Sequence, residues 1–372
     1  MRIAVIANSA WNLANFRLGL MDELRARGHQ PVALAPPDAS VAALRAAGHE
    51  FVPLELEASG TNPLRELRTV WSLRRVLVRG GFQAAFTFTP KINIYIGLAR
   101  KGLPVRHVPN VSGLGRVFAS RSPLAPLVLA MYRVAFRHAD TVVFQNEDDR
   151  RLFVDKRLVD PERTVRVPGS GVDLQRFQPR PKSAADGRTS FLFVGRVLRD
   201  KGVMEFVDAA RKVRGARPDA VFRILGSTDS DNPAAVPPAT VHEWQREGVL
   251  EYLGTTDDVR GPLAAADCVV LPSYREGVPR SLLEAAAMGL PCITTDAPGC
   301  RDAVRDGTTG FICPVRDADG LAQAFERFLQ LSAPARAEMG AQGRRRVEEE
   351  FDERIVLRTY VEIAARLASS RA

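Results

Sequence analysis

Two glutamates, Glu276 and Glu284, stand eight residues apart in the segment EGVPRSLLE, which follows closely on the apolar run DCVVLPS (267–273). Pro279 fixes φ and lacks an N–H, and both properties suit the start of a helix. The amides of Arg280 and Ser281 then belong to a helix's first turn, with the macrodipole behind them, and what they favour is an anion such as a diphosphate. Glu276 falls with Gly277 and Val278 in the loop before that helix. Glu284 falls about one turn inside it, where a carboxylate can accept hydrogen bonds from ribose hydroxyls.

A second charged group, Arg196 and Lys201 in GRVLRDKG (195–202), follows the apolar run TSFLFV. Two cations at a strand end can neutralise a diphosphate whose charge grows as it leaves; Arg199, between them, reads as a bystander. ILGSTDSDNP (224–233) and EYLGTTDDV (251–259) end strands at Gly226 and Gly254, leaving backbone room for a flat base and its ribose. Asp229-Ser230-Asp231 spells a DxD that could hold a divalent ion, but it lies in a proline-containing loop away from the glutamates, so no metal is expected. The four cysteines, at 268, 292, 300 and 313, form no metal-ligand spacing and three lie in apolar runs, which predicts free thiols in a reducing cytoplasm.

These residues need scaffolds. At 372 residues, with 45% hydrophobic and 26% charged side chains, the chain has the size and balance of two ordinary globular domains. Short apolar runs alternate with helix-length amphipathic segments from RIAVIA (2–7) to TVRVP (164–168), and again from TSFLFVGRV (189–197) to PCITTD (291–296). That alternation predicts two doubly wound parallel sheets, which bind ligands beyond their strand C-termini. The expected division is 1–170, a linker over 171–188 rich in Pro, Ser and charge, and 189–351, with a last helix over 352–370 packing back on the first domain.

The E-x7-E spacing after an apolar strand, continued by EAAAMGLPCITTDAPGCRDAV and GTTGFICP, resembles glycosyltransferase family 4. The resemblance implies the GT-B fold, two Rossmann-like domains facing across a cleft. It also implies transfer of a sugar from a nucleotide donor with retention of anomeric configuration. In that scheme Glu276, Arg196 and Lys201 are catalytic, while Glu284, Gly277, Val278, Arg280, Ser281, Gly226 and Gly254 bind the donor, a UDP-hexosamine, with no metal or other cofactor. Across both domains the chain is most similar to the subgroup that transfers N-acetylgalactosamine to polyprenyl-diphosphate-linked bacillosamine and to related capsule and exopolysaccharide transferases. The acceptor is then a lipid-linked saccharide on the first domain, with Arg17, Lys91 and Arg116 as candidates to touch its diphosphate. Where some members carry a histidine in the segment 87–91, this chain has Thr89-Pro90-Lys91.

The charge distribution agrees with an anionic partner for the first half. Residues 1–170 hold 24 Lys/Arg against 14 Asp/Glu, and residues 171–372 hold 28 against 29. Within 58–137 there are 13 basic side chains and one acidic one, Glu66. Phospholipid or a diphosphate-bearing acceptor fits such a stretch. The longest uncharged segment there, 122–132, is 11 residues, too short to span a bilayer, so the expectation is a cytoplasmic protein held peripherally at the inner face of the cell membrane. Along 63–79, Leu64, Leu67, Trp71 and Val78 share a helical face that could be interfacial, although packing on the sheet is the favoured reading. A sequence pI of about 9.8 also raises nucleic acid, but no RNA-binding or recognition-helix pattern accompanies it. A sugar-nucleotide 2-epimerase of the same architecture and a non-catalytic sugar-nucleotide sensor are the remaining rivals; the basic first half argues against the former and the intact Glu/Arg/Lys set against the latter.

Overall fold

Apolar runs buried on both faces are satisfied only in a sheet covered by helices, and both halves of the chain meet that condition. The computed structural model describes residues 1–56, 63–114, 125–180, 187–228 and 232–369. The chain divides into two units, Met1–Ser170 with Arg354–Ala372, and Gly171–Glu353.

The first unit's sheet runs β3-β2-β1-β4-β5-β6-β7. Its strands are β1 Arg2–Ile6, β2 Gln30–Ala35, β3 Glu50–Pro53, β4 Ala84–Thr87, β5 Arg106–Val111, β6 Val142–Phe144 and β7 Thr164–Arg166. The second runs β10-β9-β8-β11-β12-β13, with β8 Thr189–Val194, β9 Ala220–Leu225, β10 Glu251–Tyr252, β11 Cys268–Leu271, β12 Cys292–Thr295 and β13 Gly310–Cys313. Pairing within both sheets is parallel, for instance Ile3 with Pro31 and Ala84, and Phe191 with Phe222 and Cys268. Strand order reverses between β1 and β4 and between β8 and β11, the switch points where a doubly wound sheet opens a crevice at its strand C-termini.

Two features depart from the sequence expectations. GFIC forms the edge strand β13, which pairs with β12 and was read only as an apolar run; it is four residues long and its signal is correspondingly slight. The first part of the expected linker belongs to the second unit, where Val172, Leu174 and Phe177 join the core. The Val172 amide donates to Phe351 O at 2.9 Å and the Glu353 amide to Val172 O at 3.1 Å, so the segment is bonded to the unit's last turn. All four cysteines are buried and free, and burial pushes the Cys292 thiol up to about 12.

Helix Glu353–Ser369 leaves the second unit and completes the first. Val356, Tyr360, Ile363, Ala364 and Leu367 join a core with Ile3, Val5, Phe86 and Phe88. Tyr360 is fully buried and its hydroxyl accepts from Asn110 Nδ2. Asn110 O in turn accepts from Asn93 Nδ2 at 2.7 Å, and Thr87 Oγ1 donates to Asn93 Oδ1 at 2.7 Å, which ties the helix to the ends of β4 and β5. Tyr360→Phe removes one member of this buried chain while keeping the ring, and is expected to lower stability by about 1–3 kcal/mol in chemical denaturation; an unchanged midpoint would show that the helix docks by apolar contact alone.

Candidate active site

At the switch point of the second sheet, the loops that follow β8 and β11 are held together by backbone. After β8 the chain turns through a 3-10 segment, Arg199–Lys201, and ends it at Gly202, φ +75°. A Cβ at 202 would lie 2.0 Å from Pro272 O, so only glycine allows this approach. Asp200 O then accepts from the Tyr274 amide at 3.0 Å and from Ser273 Oγ at 3.1 Å. The Glu276 amide donates to Pro298 O at 3.0 Å, and Gly299, φ +79°, backs onto the loop: a Cβ there would meet Glu276 O and Gly277 O at 2.3 Å. The result is an ion pair between Lys201 Nζ and the Glu276 carboxylate, with 22% and 13% of the side chains exposed. The two residues are 75 apart in sequence.

Arg196 leaves the same end of β8 and is exposed. The strand ends beside it are drawn close by Gly226, whose amide donates to Gly254 O at 2.8 Å and whose missing side chain would stand 1.8 Å from Gly195 O. Tyr252 Oη donates to Gly226 O at 2.9 Å and fixes the turn.

Helix Arg280–Ala287 starts one residue after Pro279, which takes the cap position with no side-chain hydrogen bond. Val278 and Leu282 to Leu283 are buried against the sheet. Arg280 was expected to act through its amide; its side chain also matters, because Nε donates to Glu284 Oε1 at 2.8 Å. Burial raises the Glu284 carboxyl above the ordinary carboxylate range, and the Arg280 and Arg176 guanidiniums oppose that rise. A second, half-buried feature beside the site was not evident from sequence. Tyr274 Oη donates to Glu205 Oε1 at 2.6 Å, and the Arg316 guanidinium lies 4.5 Å from the Tyr274 ring centre. Nothing in a single sequence pairs residues so far apart.

In the first unit, two of the residues expected to touch an acceptor already have partners within the protein. Arg17 is 4% exposed; its guanidinium stacks 4.1 Å from the Phe88 ring centre and donates to Ser170 Oγ at 3.2 Å, so it is an interior packing group and not a surface cation. Lys91 Nζ pairs with Glu66 at 2.9 Å, and Tyr95 Oη donates to the same carboxylate, so the one acid of the basic stretch stands against the expected acceptor lysine. Arg116 and the DxD lie outside the described residues. Among the described residues no His/Cys/Asp/Glu cluster could hold a metal ion. His107, beside Thr87, is fully buried and burial holds it down to about 3, with Arg100 adding to the effect; it is a neutral structural group.

Helix Pro63–Arg79 packs on the first unit's core as expected, but by a different face. Leu73 and Leu77 enter the core, whereas Leu64, Leu67, Trp71 and Val78 are 58–78% exposed. Arg68, Arg75 and Arg79 are exposed too, and by their spacing share that outward stripe; Arg75 stacks 3.9 Å from the Trp71 ring centre. Helix Pro90–Ala99 packs against both this helix and helix Ala125–Phe136, which exposes Leu127 and Val134. Among the described residues no helix is long and apolar enough to cross a membrane.

Two doubly wound parallel-sheet units, with a carboxylate, an ammonium and a helix start gathered at the switch point of the second, are the Rossmann-like units of the GT-B fold. Residues 13–170 match the Glycosyl transferase 4-like domain and residues 188–331 the Glycosyl transferases group 1 family, and the chain belongs to these glycosyltransferases. It is 26% identical over 347 residues to the N,N'-diacetylbacillosaminyl-diphospho-undecaprenol alpha-1,3-N-acetylgalactosaminyltransferase of Campylobacter jejuni, covering 89% of this chain and 90% of that one. It is 28% identical over 279 residues to the UDP-Gal:alpha-D-GlcNAc-diphosphoundecaprenol alpha-1,3-galactosyltransferase of Escherichia coli, covering 71% and 70%. Among solved structures, Anabaena HepE, crystallised with UDP and glucose, matches with a TM-score of 0.80 at 17% identity, over 98% of this chain and 99% of that one. The family resemblance carried by E-x7-E therefore holds, as does the fold it implied.

Glu284 yields a test of the local electrostatics. Its carboxyl is raised in the folded chain, so its ionised form costs stability as pH climbs, and the cost fades as pH falls toward the carboxylate range near about 4. Glu284→Gln keeps an acceptor for Arg280. Thermal unfolding at neutral pH is expected at the same or a higher temperature than wild type, with the difference closing in acid; a marked loss of stability at neutral pH would show that the Arg280 pair outweighs burial.

Proposed function

We propose that the chain moves a sugar of the hexosamine type from a UDP-sugar to a polyprenyl-diphosphate-linked saccharide in the assembly of a surface polysaccharide or glycan, with retention of configuration and without a metal. The observation that carries the reading is the Lys201–Glu276 pair, set beside the start of helix Arg280–Ala287. The ammonium gives one N–H to Glu276 and has two more for a phosphate oxygen. Arg196, Lys201 and the first-turn amides would together take up the charge that develops on the diphosphate as the anomeric C–O bond breaks. Glu276 would orient the sugar and stabilise positive charge at the anomeric carbon. The acceptor hydroxyl forms the new bond on the same face, and its proton passes to an oxygen of the departing UDP. Glu284 would accept from the ribose. Support for the substrates comes from the relatives, both named for undecaprenyl-diphosphate-linked sugars, and from the UDP in HepE.

The acceptor's lipid places the reaction at a bilayer, on its cytoplasmic face. The outward stripe of helix Pro63–Arg79 suits that setting: Leu64, Leu67 and Trp71 can enter the headgroup region while Arg68, Arg75 and Arg79 meet anionic lipid.

Purified protein offered UDP-, GDP- and ADP-sugars with a polyprenyl-diphosphate-linked saccharide is expected to release UDP, add a hexosamine mass to the lipid, and do so equally in EDTA. Glu276→Gln is expected to lower kcat by about 10²–10³-fold with much less change in donor affinity. Absence of release from every donor in the presence of lipid would refute the transferase substrates proposed. In vesicle flotation, replacing Leu67 and Trp71 by Ala, or Arg68, Arg75 and Arg79 by Gln, is expected to reduce binding to anionic vesicles by about fivefold or more; unchanged flotation in both variants removes this helix from membrane contact.

A further inference from the structure

The second sheet has two ends, and the site just described uses one. Beside the other lies a cavity of about 600 Å³ within the second unit. Asp267, which precedes β11, and Leu290 and Pro291, which precede β12, are in its wall. Small-molecule sites fall in the range of roughly 300–1,000 Å³.

The wall divides by chemistry. Met288, Leu290, Pro291 and Ala337 give it apolar surface, while Arg180, Arg336, Arg344 and Arg345 bring four guanidiniums against one carboxylate, that of Asp267. Asp267 already accepts from the Ser190 amide at 2.8 Å. Arg344 and Arg345 are offset by Glu348 and Glu338. Arg336 is held otherwise: its Nη1 donates to Thr189 Oγ1 at 2.9 Å, its Nη2 donates to Leu329 O at 3.0 Å, and its guanidinium lies 4.8 Å from the Phe328 ring centre. Several guanidiniums around one space are matched best by a multi-oxygen anion.

The cavity is also wired to the helix of the candidate site. Helix Ala333–Glu350 approaches the turn after helix Arg280–Ala287 so closely that a Cβ at Gly340 would lie 1.9 Å from Gly289 O. From that helix Arg344 Nη1 donates to Ala287 O at 2.6 Å and to Phe177 O at 2.7 Å. One arginine of the cavity thus satisfies a C-terminal carbonyl of the helix that carries Arg280 and Glu284 toward its other end.

We propose that this cavity binds a small phosphate-bearing molecule with an apolar body, and that its occupancy alters donor affinity through Arg344. The site stands on its own geometry; the coupling rests on the donor reading given above. The test is calorimetric titration of the full chain with hexyl phosphate, inorganic phosphate and hexanol, each with and without saturating UDP. The variants are Ala337→Trp, which fills the cavity from an exposed helix position, and Arg180→Glu combined with Arg345→Gln, both exposed. Hexyl phosphate is expected to bind once per chain whether or not UDP is present, about tenfold more tightly than either fragment, and about tenfold more weakly in both variants. The UDP Kd is expected to shift by about twofold or more with hexyl phosphate in wild type and not in Ala337→Trp. No saturable binding, binding that UDP displaces, or binding that neither variant weakens overturns the site. Binding that leaves UDP affinity unchanged overturns the coupling. If UDP itself does not bind, the donor reading fails and takes the coupling with it, while the hexyl phosphate titration still decides the site.

Discussion

The carbonyl of Pro272 occupies the space a side chain at 202 would need, and most of the candidate site follows from that contact. It brings the turn after β8 against the loop after β11 and lets Asp200 O take two donors from that loop. Gly299 repeats the device on the other side of the same loop, and Gly226 repeats it between the ends of β8 and β9. Lys201 and Glu276 therefore meet because their backbones are held, so ordering two side chains costs less entropy than if both loops were free. Preorganisation of this kind is what electrostatic catalysis needs, since charges already in place do not have to reorganise as the transition state forms.

Much of the scaffold was legible because its signals are local. Apolar runs between glycines and prolines gave the strands, and Pro279 marked the start of the helix to within one residue. The glycine at 226 sits where a Cβ would strike Gly195 O, whereas Gly254 has open space and is set apart by its φ of +70°. What could not be read was which charge meets which. Arg280 and Glu284 are four apart on one helix, so their pairing was available from spacing alone and was overlooked in favour of the amide. Glu66 and Lys91 lie on different helices, and only the packed first unit shows that they neutralise each other. Arg17 looked like a surface cation because a basic loop residue has no local sign of burial; Phe88, Ser170 and the C-terminal helix supply it from far along the chain.

The basic character of the first unit thus has to be recounted by availability. Arg17 is interior and Lys91 is paired, whereas Arg68, Arg75 and Arg79 face outward among exposed Leu64, Leu67 and Trp71. The face read from periodicity on helix Pro63–Arg79 is the exposed one, and the core took Leu73 and Leu77 instead. An exposed leucine and tryptophan stripe is unfavourable in water and favourable in a headgroup region, where Trp and Arg both have something to meet. Arg68, Arg75 and Arg79 are therefore the part of the unit's charge that lies exposed beside apolar surface.

The second unit manages charge in the opposite way, by burying it. Glu284 and Glu353 are both raised by burial, and the same two guanidiniums, Arg280 and Arg176, oppose the rise in each. Asp173 and Asp352 add to the rise at Glu353, so two cations serve a group of acids that outnumber them. Raised carboxyls make the folded state hold protons more tightly than the unfolded one, and stability declines as pH climbs through their range. A chain selected for stability alone would replace such groups with apolar ones. On the donor reading proposed above, a ribose hydroxyl would take up the carboxylate's unused acceptor capacity, and the burial that weakens the protein by itself would make Glu284 selective for a hydrogen-bonding partner.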